Sequence, residues 1–497
     1  MSRAPASSRL SRVARLAWTG ARAQRGLIAV IVLFVCFGAL NVLGIPPLLP
    51  IDERAHLGYA LSIAEGELPT VDTPLPSTVF PASDRDYRND IWVANHPPLY
   101  YAIVAPLASG GLAIGGIEAA VGLVRWLSLL LGAAALVFVH ATAKLVTNGD
   151  RDVALLATLA AALMPHTLHI CSLVHNDSLA ILLATATLYS GVLVAVRGYS
   201  HARASALAVT TALAMLTRFT SIAVVVPACG IACVGLLLRS EQPVRQRIKQ
   251  SASTAGIAAA AILITSGWFY LRNFQLYGDV TGGAALFEKV GRTARGGALG
   301  HALKPRLWRQ IYQDLWTRFS GGTRIDGLVW DLAWLILFAA LIGVCLRGYA
   351  IFKQRSIRAV STSSLCVAGL AAAVALILAA MFEFYSRGGS LHARYMLPVL
   401  WVFALVLAWG LSALGTVVAR TMIVLLCLID LLVFSTYLGG LVTDEGADGI
   451  ALVQALQQAG VGRATWIVAA ILIAVALGLH TILDEYAKPP TKRPDGE

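Results

Sequence analysis

The chain has 497 residues, of which 57% are hydrophobic and 13% charged, against roughly 45–50% and about 25% in soluble domains; water is excluded as its main solvent. Its formal net charge of +12 does not point to nucleic acid, because the basic residues are split among short connectors between apolar runs. The seven cysteines fall in or at the ends of apolar runs, with no pair in an exposed loop, which argues against disulfides and thiolate metal sites.

Arg3, Arg9, Arg12, Arg15, Arg22 and Arg25 precede the first apolar run. That run is longer than the apolar region of a secretory signal and lacks a clear small-residue cleavage site, so it reads as a retained first span. Further spans are expected near 121–143, 153–171, 178–196, 204–217, 219–238, 253–272, 330–346, 360–382, 395–417, 421–441 and 463–482, after the first at 26–44. The expected fold class is therefore an all-α polytopic membrane protein of about 12 transmembrane helices (11–13). No polar stretch is long enough for a separate soluble domain, which leaves one transmembrane domain over 26–482 between a basic N-terminus, 1–25, and a polar tail, 483–497.

The positive-inside rule places both ends in the cytoplasm, together with the basic connectors 144–151, 197–203, 239–250 and 347–358. Loops 45–120 and 273–329 then face outward. The Gly- and Ala-rich segment 99–118 is long enough to span, but counting it would invert every later connector, so it is expected along the outer membrane face. The second external loop, with Lys289, Arg292, Arg295, Lys304, Arg306, Arg309, Arg318 and Arg324, runs against the rule, which long loops obey weakly.

The first external loop opens PPLLPIDERAHLGYALSIAEGELP. Its prolines end the first span, and Asp52 can cap a helix from Glu53 to Ala64. Leu57, Leu61 and Ala64 would form a membrane-facing stripe. Asp52, His56 and Tyr59, at i, i+4 and i+7, would share another side as an acid-base or metal-ligating pair with a tyrosine beside it. The alternative is an interfacial helix that Asp52 caps and Glu53 and Arg54 solvate. Farther on, Asn95-His96-Pro97-Pro98 is a turn signal, and Tyr100 and Tyr101 suit a lipid interface. Walker-type, GxGxxG, HExxH and GxSxG motifs are absent from the sequence.

An acidic pair in the first loop is followed by HPPLYY and the arginine-bearing Leu123-Val124-Arg125-Trp126-Leu127-Ser128. VHNDSLA follows at 174–180, LTRFTSIAVVVP at 216–227 and LHARYMLPVL at 391–400. In their order and common side these segments resemble the GT-C superfamily of polyprenyl-phosphate-dependent glycosyltransferases, near the protein-mannosyltransferase-like and aminoarabinose-transferase-like branches. VHNDSLA and LHARYMLPVL also resemble an uncharacterised bacterial membrane family of that group.

The resemblance implies an inverting sugar transfer from a polyprenyl-phosphate donor to a cell-envelope acceptor (glycan, lipid or protein) at the outer face of a bacterial inner membrane. It implies no nucleotide cofactor and no nucleic acid partner. Asp52 would be the base and Glu53 the neighbouring acid. His56, His96, Asp177, Arg218, Arg394 and Tyr395 would bind substrate, and Asp52 with Asp177 could hold Mg²⁺ or Mn²⁺. Open alternatives are a helix N-cap for Asp177 and snorkelling arginines at 218 and 394. Arg125 is read as an interface anchor outside the site, and His140, His166, His169 and His480 as packing or interface residues. The competing function is a non-enzymatic transporter of lipid-linked glycan or polysaccharide.

Overall fold

The computed structural model describes residues 24–49, 51–79, 89–317, 327–353, 361–445 and 460–485. Among the described residues the chain forms helices and connectors, with no strand and one isolated bridge between Pro74 and Asp90. A segment in hydrocarbon must satisfy its own backbone, which an apolar helix does. The basic N-terminus, Arg318, Arg324 and most of the polar tail lie outside the described residues.

The first span is α1 (Arg25–Gly44), ended by Pro46 and Pro47, and the first-loop helix is α2 (Ile51–Ala64). Then come α3 (Leu99–Val146), α4 (Arg151–Ala162), α5 (Pro165–Cys171), α6 (Asp177–Arg197), α7 (His201–Met215), α8 (Ile222–Leu237) and α9 (Val244–Tyr277). The second loop holds three short helices, α10 (Gly283–Lys289), α11 (Ala298–Ala302) and α12 (Pro305–Thr317). The C-terminal part consists of α13 (Leu328–Lys353), α14 (Thr362–Ser386), α15 (Leu397–Leu411), α16 (Thr416–Glu445) and α17 (Gly460–Glu485).

Among the described residues 9 helices are long and apolar enough to cross a membrane, or 10 if α4 and α5, bent by 61°, form one broken span. Of the twelve expected spans, those at 204–217 and 463–482 are not among these. At 15 residues, α7 is short: a rise of about 1.5 Å per residue gives roughly 22 Å, less than the roughly 30 Å hydrocarbon core. The last expected span lies in α17, part of whose side chains fall outside the described residues.

Two apolar clusters hold the fold. The larger joins α1, the second half of α3, α4 to α8 and α12 to α17. The smaller gathers the first loop around Leu57, Tyr59, Trp92, Tyr100 and Tyr101 against Val174, Leu179 and Leu183. Small residues bring helices close, as is common between membrane helices. A Cβ on Gly191 of α6 would collide with the backbone of Ala228 in α8.

Two first-loop expectations are corrected by this packing. Leu57 and Leu61, expected to face lipid, are 0% and 5% exposed, because the smaller cluster closes over α2. Segment 99–118 is not a free interfacial helix. Leu99 to Ile114 buries Tyr100, Tyr101, Val104 and Ala108. The chain then turns back at Gly115–Gly116, where Gly116 takes φ +68°, a region open to glycine. A Cβ on Gly111 would stand 2.6 Å from Cα of Ala120.

Candidate active site

The prolines after α1 deliver the chain into the first turn of α2, where Asp52 and Glu53 face the positive end of the helix dipole. These adjacent carboxylates have opposite fates.

Glu53, expected to be a catalytic acid, is 1% exposed and saturated. Arg125 clamps it with Nε to Oε1 at 2.8 Å and Nη2 to Oε2 at 2.7 Å. The backbone N–H groups of Leu48 and Val174 donate to it, each at 2.9 Å. With four donors it has no lone pair to spare for a substrate proton, so Glu53 is a structural group. Arg125 is likewise no interface anchor. It is 1% exposed, and its remaining donors meet the carbonyls of Val42, Ile45 and Pro46 at 3.3, 2.5 and 3.0 Å.

Asp52 keeps access to solvent, with its side chain 23% exposed. It pairs with Arg394, and Nε2 of His175 lies 3.8 Å away. Burial pushes its pKa up, but the Arg394 guanidinium and His175 outweigh that and hold it well below the usual carboxylate range. Nδ1 of His175 accepts from the Asp177 backbone N–H at 3.1 Å, and its Nε2 faces Asp52 and Nη1 of Arg394, the latter 3.4 Å away. Burial, with Arg394 and Arg218 nearby, brings the pKa of His175 down to about 4 despite Asp52.

Asp177 opens α6, and its buried side chain pairs with Arg218 in the turn between α7 and α8. The residue before it, Asn176, takes the N-cap position without a capping side-chain bond. The Tyr395 ring lies between the two cations, 5.8 Å from Arg218 Cζ and 5.3 Å from Arg394 Cζ.

The first-loop wall completes the cluster. Tyr59 and Tyr101 stack at 3.7 Å, and Tyr59 donates to the His96 carbonyl at 3.1 Å. Nδ1 of His56 lies 2.9 Å from the Tyr101 hydroxyl, and its ring is 4.2 Å from that of His175. Burial lowers the pKa of His56 and His96 well below normal, reinforced by His175 beside His56 and by Arg218 beside His96.

The structure therefore brings together Asp52, His56, His96, Asp177, Arg218, Arg394 and Tyr395, and removes Glu53 from the reactive group. It adds His175, which the sequence reading names only within VHNDSLA. A histidine two residues before an aspartate that opens a helix was the available signal. Each aspartate of the expected metal pair is paired with a guanidinium, and among the described residues no group of three or more His, Cys, Asp or Glu could hold a metal ion.

The arrangement can hold a carboxylate ionised at an accessible position and present two guanidiniums to an anion. Around them it supplies neutral imidazoles and aromatic rings, groups suited to a polar, ring-shaped ligand.

The chain covers 94% of its own length and 76% of ArnT from Cupriavidus metallidurans bound to undecaprenyl phosphate, at 14% identity and TM-score 0.45. The S. cerevisiae protein O-mannosyltransferase Pmt1–Pmt2 complex bound to the sugar donor matches 50% of this chain at 17% identity and TM-score 0.38, and this chain spans only 34% of that one. The Archaeoglobus fulgidus oligosaccharyltransferase complex with Zn and sulfate matches 94% of this chain and 54% of its own, at 14% identity and TM-score 0.37. No curated protein matches the chain in sequence. The family model described as dolichyl-phosphate-mannose-protein mannosyltransferase matches residues 95–270, the stretch that carries His96, Asp177 and Arg218, and through it the chain is similar to the GT-C membrane glycosyltransferases.

Proposed function

We propose that the protein is a membrane glycosyltransferase that moves a sugar from a polyprenyl-phosphate donor to a cell-envelope acceptor, on the extracytoplasmic face of a bacterial inner membrane and with both termini in the cytoplasm. The observation that carries this reading is the pairing of Asp52 with Arg394 beside Asp177 with Arg218. A base and two phosphate-binding cations stand together, each cation neutralised by a carboxylate that a phosphate can replace.

The donor phosphate draws Arg394 and Arg218 towards itself, since a guanidinium binds phosphate as readily as carboxylate. Asp52 thereby loses the cation that depresses its pKa and becomes a stronger base as the donor arrives. It then takes the proton of the acceptor hydroxyl as that oxygen attacks the anomeric carbon. The bond from that carbon to the phosphate oxygen breaks, configuration inverts, and the two arginines stabilise the charge left on the phosphate. No step is routed through a divalent cation.

The test is sugar transfer by purified protein in liposomes, from radiolabelled polyprenyl-phosphate sugars to a membrane extract. Wild type should transfer, and Asp52→Asn, with unchanged thermal unfolding, should not. Equal transfer by both would overturn the assignment of the base.

A further inference from the structure

From residue 289 to 313 the chain carries Lys289, Arg292, Arg295, Lys304, Arg306 and Arg309 and no acidic side chain. Such a density of cations runs against the charge bias of an external loop. Part of it is used internally. Lys289 bridges Asp72 and Asp90, each at 2.7 Å, and Arg295 donates to the carbonyls of Tyr385 and Gly389. Lys304, in the connector between α11 and α12, meets Nδ1 of His301 at 3.3 Å, while Arg306 and Arg309 on α12 are exposed, the latter with its Cζ 5.8 Å from the Trp330 ring.

The same surface is apolar where a solvated loop would be polar. Leu299 and Leu303 are each 74% exposed and Trp308 is 41% exposed, while Leu307, Ile311 and Leu315 bury the opposite face of α12. The nearest acid in the helix, Asp314, is 0% exposed. Trp308 is fixed in place, its Nε1 donating to the Ala302 carbonyl at 2.7 Å. Apolar side chains interleaved with cations and free of acids match one environment, the boundary between headgroups and acyl chains of an anionic leaflet.

We propose that α11 and α12 form a docking surface for anionic phospholipids of the outer leaflet. Leu299, Leu303 and Trp308 enter the headgroup boundary, and Lys304, Arg306 and Arg309 meet lipid phosphates. Because α12 packs on the turn Ala393–Met396, this docking also fixes the depth of Arg394 and Tyr395 relative to the headgroups. The inference rests on the membrane placement of the chain and not on its chemistry.

The experiment is hydrogen–deuterium exchange of the full chain in nanodiscs of phosphatidylcholine alone or with phosphatidylglycerol added, read on peptides covering 298–313. A cation near an anionic surface contributes about fivefold in affinity, so R306Q/R309Q should need about thirtyfold more phosphatidylglycerol to protect this segment. Wild type should show protection with phosphatidylglycerol that the double variant lacks, while first-loop peptides exchange alike in both. Equal exchange in the two lipids would overturn the proposal, as would equal protection of wild type and variant. Protection by polyprenyl phosphate in neutral nanodiscs, but not by phosphatidylglycerol, would overturn it in favour of the carrier lipid.

Discussion

Replacing Arg125 with methionine tests whether the buried clamp organises the site. The guanidinium makes five hydrogen bonds, two to Glu53 and three to the carbonyls that close α1. Its loss leaves the Glu53 carboxylate, itself 1% exposed, with two backbone donors and no counter-charge. Removing one partner of a buried pair typically costs about 3–5 kcal/mol, a large share of the roughly 5–15 kcal/mol that holds a domain folded. Equilibrium unfolding of the purified protein in detergent, followed by tryptophan fluorescence, should show that loss. Glu53→Leu combined with Arg125→Met should recover much of it, since an apolar replacement of both partners leaves no unpaired charge. A single variant within about 1 kcal/mol of wild type, as expected for exposed pairs, would refute the reasoning.

Arg218→Gln should destabilise by a similar few kcal/mol, about 3–5 by the same buried-pair argument, because Asp177 is 1% exposed; thermal unfolding checks it. Arg394→Gln should raise the apparent KM for the lipid donor more than it lowers kcat, measured in the liposome transfer assay. Folding stability should be highest above about pH 6.5 and decline as pH falls towards about 4, because the unfolded chain protonates His175 in that window while the folded chain keeps it neutral. One such proton contributes about 1.4 kcal/mol per pH unit, so His175→Gln should reduce the slope of the denaturation midpoint against pH, leaving the part that His56 and His96, also held neutral, contribute. Gly191→Ala should separate α6 from α8 at a cost of about 1–3 kcal/mol, and an unchanged melting temperature would sink that account.

Much of this was legible because hydrocarbon imposes one periodic demand on the sequence. Apolar runs found α1, α6, α8 and α14 to within a few residues. The clustering of Asp52, Asp177, Arg218 and Arg394 followed from motifs that shared a side. What stayed hidden depends on partners distant in sequence. Glu53 and Arg125 are 72 residues apart, and nothing near either signals the other, so an arginine at the head of an apolar run read as an anchor. The burial of Leu57 and Leu61 was hidden for the same reason: a stripe on a helix tells which face is apolar, not whether lipid or protein covers it. His166 and His169, read as packing or interface residues, are each 1% exposed.

The contact between Asp52 and Arg394 crosses 342 residues of chain. At roughly 5–20 residues per second of synthesis, the first-loop aspartate would wait on the order of half a minute in the membrane before its counter-cation exists. Through that interval Asp52 lacks the guanidinium that depresses its pKa, and the assembled site is a late event of biogenesis. A chain truncated before α15 would therefore insert most of its helices and still lack the ion pair around which the reactive group is built.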